Sequence, residues 1–207
     1  MAARPSIIKI SRDLPEWETI SRAARVVTDG GIIAFPTDTT YGLAASIHCK
    51  QAVARLKRLK SRKSGQPFLV IAADLDWVRE LAVVKAGHRR LMDTYWPGPL
   101  SIVFQASRAV PAYVAGPGRT IAIRIPDDTL TQSILRACGV PLVAPSANLR
   151  GKEPATSARA VVRDFGDRVD LVLDGGSTDS TTPSTIVAIG SRGLEVLRPG
   201  RLVVREA

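Results

Sequence analysis

The chain reads as an α/β protein built on a mixed parallel and antiparallel sheet, on three observations. Short continuous apolar runs of strand length alternate with amphipathic helical segments, the signature of strands buried by helices. From Leu171 to Leu197 the strand-like runs follow one another with no helix between them, which predicts antiparallel pairing at one side of the sheet. Polar motifs sit where the apolar runs stop, the place where such a scaffold presents ligand-binding groups. With 207 residues, 45% of them hydrophobic, the chain can bury one well-formed core, and a single domain over 1–207 is expected.

In chain order, Pro15 and Glu16 open a helix in which Ile20, Ala23, Ala24 and Val27 share one face, and Gly30-Gly31 closes it. Ile32 to Phe35 follows as a strand buried on both faces, stopped by Pro36. A second helix spans about Lys50 to Lys60, with Val53, Leu56 and Leu59 inward, and Phe68 to Ile71 is the next strand. Further strands are expected at Leu100–Phe104, Thr120–Ile125, Leu142–Ala144, Leu171–Leu173, Thr185–Ile189 and Leu194–Leu197, and helices at Arg89–Tyr95, Thr129–Cys138 and Ser157–Phe165. No internal repeat, long linker or low-complexity tract interrupts this order.

Composition then narrows the function. A formal net charge of +10 favours anionic partners such as nucleotides, RNA or an acidic surface. Cys49 and Cys138 permit at most one disulfide, so a reducing compartment is expected. Ile7 to Ile10 is too short for a signal sequence, and no apolar run approaches the ~18 residues of a membrane span, so a soluble, cytoplasmic protein is expected. His48 and His88 do not form a metal-ligand spacing with the cysteines, and no metal site is expected. The serine-hydrolase elbow, the phosphate loop and the dinucleotide fingerprint are all missing.

Five motifs carry the remaining chemistry. Pro36 to Leu43 runs from a strand into hydroxyl and carboxyl side chains and Tyr41-Gly42; it fits a polar ligand, or equally a turn that satisfies itself. Lys50, Arg55, Lys57, Arg58, Lys60, Arg62 and Lys63 have no acid among them, which is often a solvated helix face. Lys57 and Lys60 nonetheless share a helical side, and Arg62-Lys63 continue into a loop beside a strand entrance, a setting suited to phosphate oxygens. Ser146 and Asn148 follow a short strand and are either ligand contacts or cap and turn residues. Thr120 and Arg124, four apart on a strand, share one face. Ser184-Thr185 opens a strand and Arg198 closes another.

Taken together these residues resemble the YrdC family of threonylcarbamoyl-AMP synthases, in its short form, most strongly over residues 30–200. The fragments Phe35 to Leu43, Leu59 to Arg62, Trp96 to Leu100, Ile123 to Pro126, Ala144 to Leu149, Leu173 to Gly176, Ser184 to Val187 and Leu197 to Gly200 stand in family order. Lys63 departs from the Pro usual after Lys-x-Arg, and Ala44-Ala45-Ser46 from the usual Gly-Cys-Asp. The resemblance implies a YrdC-like twisted mixed parallel/antiparallel sheet flanked by helices, with a basic concave cleft. It implies synthesis of threonylcarbamoyl-AMP and pyrophosphate from ATP, L-threonine and bicarbonate, for N6-threonylcarbamoyladenosine at position 37 of tRNA, with a separate transferase complex completing the modification. It implies no extra C-terminal domain, because the chain ends soon after Gly200.

Carried over position by position, Thr37, Arg124, Ser146 and Ser184 would contact threonine, and Lys60, Arg62, Thr120, Asn148, Thr156 and Arg198 would contact ATP, with Lys60 and Arg62 catalytic. Mg2+ would enter with ATP. Lys60→Ala or Arg124→Ala is then expected to abolish turnover with the fold intact. Two other classes remain open: a nonenzymatic protein that binds double-stranded RNA or serves ribosome maturation, which the charge also suits, and a carbamoyltransferase or hydrogenase-maturation module, which belongs to larger chains. Phosphate-backbone binding needs positive charge but not the ordered Ser146 and Asn148 pattern, which favours the enzyme.

Overall fold

A computed structural model describes residues 5–61, 68–190 and 193–204. Strands β1 (Ser6–Lys9), β2 (Ile33–Pro36), β3 (Tyr41–Ser46), β4 (Leu69–Ile71), β5 (Ala82–Val83), β6 (Leu100–Ala106), β7 (Thr120–Arg124), β8 (Leu142–Val143), β9 (Leu171–Asp174), β10 (Thr185–Gly190) and β11 (Gly193–Arg198) form one sheet. Its order is β1-β9-β2-β3-β8-β4-β7-β6-β10-β11, with β5 paired to β6 off that path. Six helices flank it among the described residues: α1 (Trp17–Thr28), α2 (Lys50–Leu59), α3 (Leu75–Leu81), α4 (Ala86–Tyr95), α5 (Thr129–Cys138) and α6 (Ala158–Phe165).

The pairing is mixed throughout. β9 runs parallel to β1 and β2, β4 to β7, and β6 to β10. β3 lies antiparallel to β2 and β8, β8 to β4, β7 to β6, and β11 to β10. The expectation of antiparallel pairing across Leu171–Leu197 therefore holds only for the β10–β11 hairpin. β9 crosses to the other end of the sheet and inserts between β1 and β2, because its Leu171-Val172-Leu173 run is apolar on both faces and needs a doubly covered position. Four elements are additions to the sequence reading: β1, β3, β5 and α3.

Period-two alternation divides the core. On β2, Ile33 and Phe35 pack with Ile20, Ala23, Ala24 and Val27 of α1 and with Leu130, Ile134 and Leu135 of α5, while Ile32 and Ala34 join the larger cluster on the opposite side. On β7, Ile121 and Ile123 point into that larger cluster and Ala122 and Arg124 point the other way. Helices α1 and α5 cover this second face over β2, β3 and β8 and reach Ile71 at the end of β4, but leave β7, β6 and β10 uncovered, where a cleft is left open. Caps set the helix ends that frame it: Asp128 accepts from Thr131 N at 2.8 Å to start α5, and Gly139, at φ 65°, ends it in the left-handed conformation that glycine adopts freely.

The second histidine has a structural job. Burial lowers the pKa of His88 from its usual value, with Lys85 adding repulsion, and its Nδ1 accepts a hydrogen bond from Lys85 N at 3.1 Å, which requires that nitrogen to be unprotonated. A depressed histidine pKa means that the unfolded chain binds the proton more tightly, so stability is full above the unfolded value of about 6.5 and is lost as pH falls below it. Thermal unfolding followed from pH 7.5 down to 5.5 should show a falling Tm, with a shallower slope in His88→Gln; equal slopes would remove His88 as the cause. Cys49 and Cys138 are free thiols, and among the described residues no helix is long and apolar enough to cross a membrane.

Candidate active site

The uncovered face holds a cavity of about 460 Å³, in the range of small-molecule sites. Its floor is made by residues of matching parity on adjacent strands: Leu69 and Ile71 of β4, Ala122 and Arg124 of β7, Val103 of β6 and Ile186 of β10. Its rim is made by the loops at the strand ends, which bring Thr37, Thr39, Thr40, Lys60, Ser61, Ser146, Asn148, Arg150, Ser184 and Arg198 to one place. Four cations and no carboxylate stand among the described lining residues, so an anionic ligand is favoured.

Each rim loop is locally fixed. Thr37 Oγ donates to Thr40 O at 2.8 Å and accepts from Thr39 N at 3.1 Å, so the Thr37–Thr40 segment is a self-satisfied turn as well as a cleft wall. Arg12 donates to Thr37 O at 3.0 Å and to Asp128 Oδ1 at 3.1 Å, and Arg201 donates to Asp38 O at 2.6 Å, so arginines from both ends of the fold hold that turn down. The 145–148 loop is docked on β3 through Leu43 N to Pro145 O at 2.9 Å and Ala147 N to Tyr41 O at 2.7 Å. Behind the turn, buried Tyr41 donates its hydroxyl to Gly176 O at 2.7 Å, and burial pushes its pKa up to about 12.

Lys60 follows the last turn of α2, only 9% exposed, and Ser61 at φ 45° stops the helix beside it. Its ammonium donates to Ser146 O at 2.8 Å, to Asn148 O at 2.5 Å and to Asn148 Oδ1 at 2.6 Å. Ser146 Oγ donates to the same Asn148 Oδ1 at 2.7 Å, while Asn148 Nδ2 donates to Lys152 O at 2.8 Å. Two motifs that lie far apart in sequence are thus one polar cluster around one charge. Lys57 is not part of it: its Nζ donates to Tyr113 O at 2.7 Å, away from the cleft lining.

Arg124 is 3% exposed and spends its guanidinium on three partners, Gly98 O at 2.8 Å, Thr39 Oγ at 3.3 Å and the carboxylate of Asp38. Burial pushes the Asp38 carboxyl above its usual value, against the pull of Arg124. Burial also pulls Arg124 down while Asp38 holds it up, and the guanidinium remains the cation of the pair. Asp38 Oδ1 is buried with no hydrogen-bond partner. At the opposite wall, Arg198 donates to Ser184 O at 2.6 Å and to Ser184 Oγ at 3.3 Å, and Ser184 Oγ lies 2.9 Å from Ser101 Oγ. A side chain at Gly200 would put its Cβ 2.4 Å from Pro183 O, so glycine is what lets the chain beyond β11 lie against this wall.

Seven of the residues selected from sequence, Thr37, Lys60, Arg124, Ser146, Asn148, Ser184 and Arg198, line the cleft together. Thr120 and Thr156 do not line it. Thr120 has the same strand parity as Arg124 but stands at the far end of β7, its hydroxyl donating to Pro117 O at 3.0 Å, and Thr156 accepts through its carbonyl from Thr178 N at 2.9 Å. Arg62 lies outside the described residues. Arg150 also lines the cleft, and Asp38 and Ser101 contact the lining residues Arg124 and Ser184; the sequence reading assigned none of the three. Ser101 was recoverable, since it is the polar residue in an otherwise apolar Leu100–Phe104 strand.

Comparison with known proteins gives the family and the fold. The family model Sua5_yciO_yrdC, described as telomere recombination, matches residues 25–200. A threonylcarbamoyl-AMP synthase of Pyrococcus abyssi is 33% identical over 97% of this chain and 59% of its own length, and one of Bacillus subtilis is 36% identical over 87% and 53%. One of Nitrosococcus oceani is 34% identical over 83% of this chain and 93% of its own length. The chain thus spans little more than half of the first two relatives. Among solved structures, P. abyssi Sua5 complexed with L-threonine superposes with a TM-score of 0.88 at 33% identity, covering 94% of this chain and 57% of that one. Escherichia coli YciO superposes at 0.90 with 28% identity, over 95% and 96%. The mixed sheet, the cleft at its uncovered face and these matches place the chain in the Sua5/YciO/YrdC family.

Proposed function

We propose that the cleft makes threonylcarbamoyl-AMP: L-threonine, bicarbonate and ATP give the mixed anhydride, pyrophosphate and water. The observation that carries the reading is the meeting, in one cavity, of two separate cationic clusters, Lys60 with Ser146 and Asn148 on one side and Arg124 with Thr37 and Thr39 on the other. Arg124 and the Thr37 turn suit the carboxylate and hydroxyl of an amino acid, with Ser146 and Ser184 flanking it. Lys60, Asn148 and Arg198 suit the phosphates, with Arg62 as a further ATP contact and with Thr120 and Thr156, which stand outside the cavity lining, left for the part of the nucleotide that would extend beyond it.

The chemistry asks little acid–base work of the protein. The threonine amine takes up the carbon of bicarbonate to give a carbamate, and a carbamate oxygen then attacks the α-phosphorus as the bond to pyrophosphate breaks. Charge builds on the phosphoryl oxygens and the leaving group, where Lys60 and Arg62 would offset it, and the rim loops hold the two reactants in line. Among the described residues no group of three His, Cys, Asp or Glu could hold a metal ion, so Mg2+ would arrive on the ATP phosphates. A methyl group separates threonine from serine, worth ~1–3 kcal/mol, so serine should be a slower substrate and not an excluded one. The product would be handed, in the cytoplasm, to a transferase complex that modifies tRNA. Pyrophosphate release with each substrate omitted in turn tests the reading: release should need ATP, threonine and bicarbonate together. Release from ATP alone, or none with all three, would overturn it.

A further inference from the structure

A second hollow, of about 340 Å³, lies on the α2 side of the molecule and shares no described lining residue with the cleft. Its described lining is Arg55, Arg58, Leu59 and Arg168: three guanidiniums and one apolar side chain. Arg168 is anchored, its Nε donating to Phe165 O at 2.9 Å and one terminal nitrogen to Asp164 O at 2.6 Å, with its Cζ 5.9 Å from the Phe165 ring centroid. Those contacts use one edge of the fork and leave the other nitrogen's donors without a partner among the described residues. Arg55 is paired with Asp170 at 3.0 Å and also donates to Arg168 O at 3.4 Å. Arg58 is exposed, and its side chain makes no hydrogen bond or ion pair among the described residues. Asp170, the partner of Arg55, is further engaged by Ile32 N at 2.6 Å, and no carboxylate stands among the described lining residues, so positive charge is in surplus at this concave site.

We propose that this hollow is a phosphate-binding site separate from the synthesis cleft. A pre-fixed guanidinium and a free one on the same concavity match the bidentate demand of a phosphate group, whether that group is a phosphodiester of an RNA backbone or a free phosphate ion. The charge run of α2 then serves two ends: Lys60 at the helix terminus faces the cleft, and Arg55 and Arg58, on another side, face the hollow.

The test uses Arg58→Gln, with Arg89→Gln, an exposed arginine on α4, as the control. Binding of a fluorescently labelled RNA duplex is measured by anisotropy across a salt series, and the arginine Nε–H resonances are followed by NMR during titration with inorganic phosphate. If an RNA backbone is the source, Arg58→Gln weakens the duplex severalfold and lowers the slope of log affinity against log salt by about one, while Arg89→Gln leaves both unchanged. If free phosphate is the source, the Arg168 Nε–H resonance shifts saturably in the parent and not in Arg58→Gln. Equal effects of the two substitutions on RNA, together with no saturable phosphate shift, would overturn the proposal. A raised KM for ATP in Arg58→Gln would overturn the separateness of the site.

Discussion

Lys60→Ala should lower kcat/KM by roughly 10²–10³-fold, the usual cost of removing one donor aimed at developing charge. The lysine is nearly buried, and it donates to Ser146 O, Asn148 O and Asn148 Oδ1. Removal therefore has two effects: the phosphates lose a cation, and the 145–148 loop loses the donor that gathers its oxygens. Lys60→Arg should not restore the rate, since a planar fork does not occupy the place of a compact ammonium among three close acceptors. Steady-state kinetics together with urea unfolding separate the two effects; a rate within a few-fold of the parent would remove Lys60 from the chemistry.

Arg124→Ala should raise the KM for threonine about 10- to 150-fold, which corresponds to a charge-assisted hydrogen bond of roughly 1.5–3 kcal/mol. It should also destabilise the protein by about 3–5 kcal/mol, because Asp38 would be left as a buried carboxylate without its partner. The structure thus replaces the expectation of an intact fold with a coupled loss of binding and stability. The double substitution Arg124→Met, Asp38→Leu should recover much of the stability and none of the turnover. Recovery of threonine turnover in the double variant would show that Arg124 acts through the fold alone.

The helices and buried strands were legible because their signals are local: the face of α1, the apolar run of β2 and the inward positions of α2 all follow from spacing. β3 was not, since its Gly42, Ala44 and Ala45 have weak strand preference and its first residues read as a ligand loop; it is a strand because β2 and β8 pair with it on either side. α3 carried a signal that went unread, with Asp74 accepting from Asp76 N and Trp77 N at its start. β9 could not be placed from sequence, because its neighbours β1 and β2 are supplied by distant parts of the chain.

The site divides in the same way. Lys60, Arg124, Ser146, Asn148 and Ser184 were found as motifs at strand ends, and the fold brings them to one cleft. Asp38 stood inside a motif, but its role depends on an arginine 86 residues away, a relation that no spacing rule carries. Thr120 was picked by strand parity with Arg124 and by the family resemblance, and parity gives a face and not a distance: four residues along β7 separate the two.

The most direct measurement is mass spectrometry of the purified chain with ATP, Mg2+, L-threonine and carbon-13 bicarbonate. The account predicts a threonylcarbamoyl-adenylate whose mass rises with the labelled carbon, formed only when every substrate is present and lost in Lys60→Ala. A protein that binds ATP and threonine yet forms no labelled adenylate would contradict it.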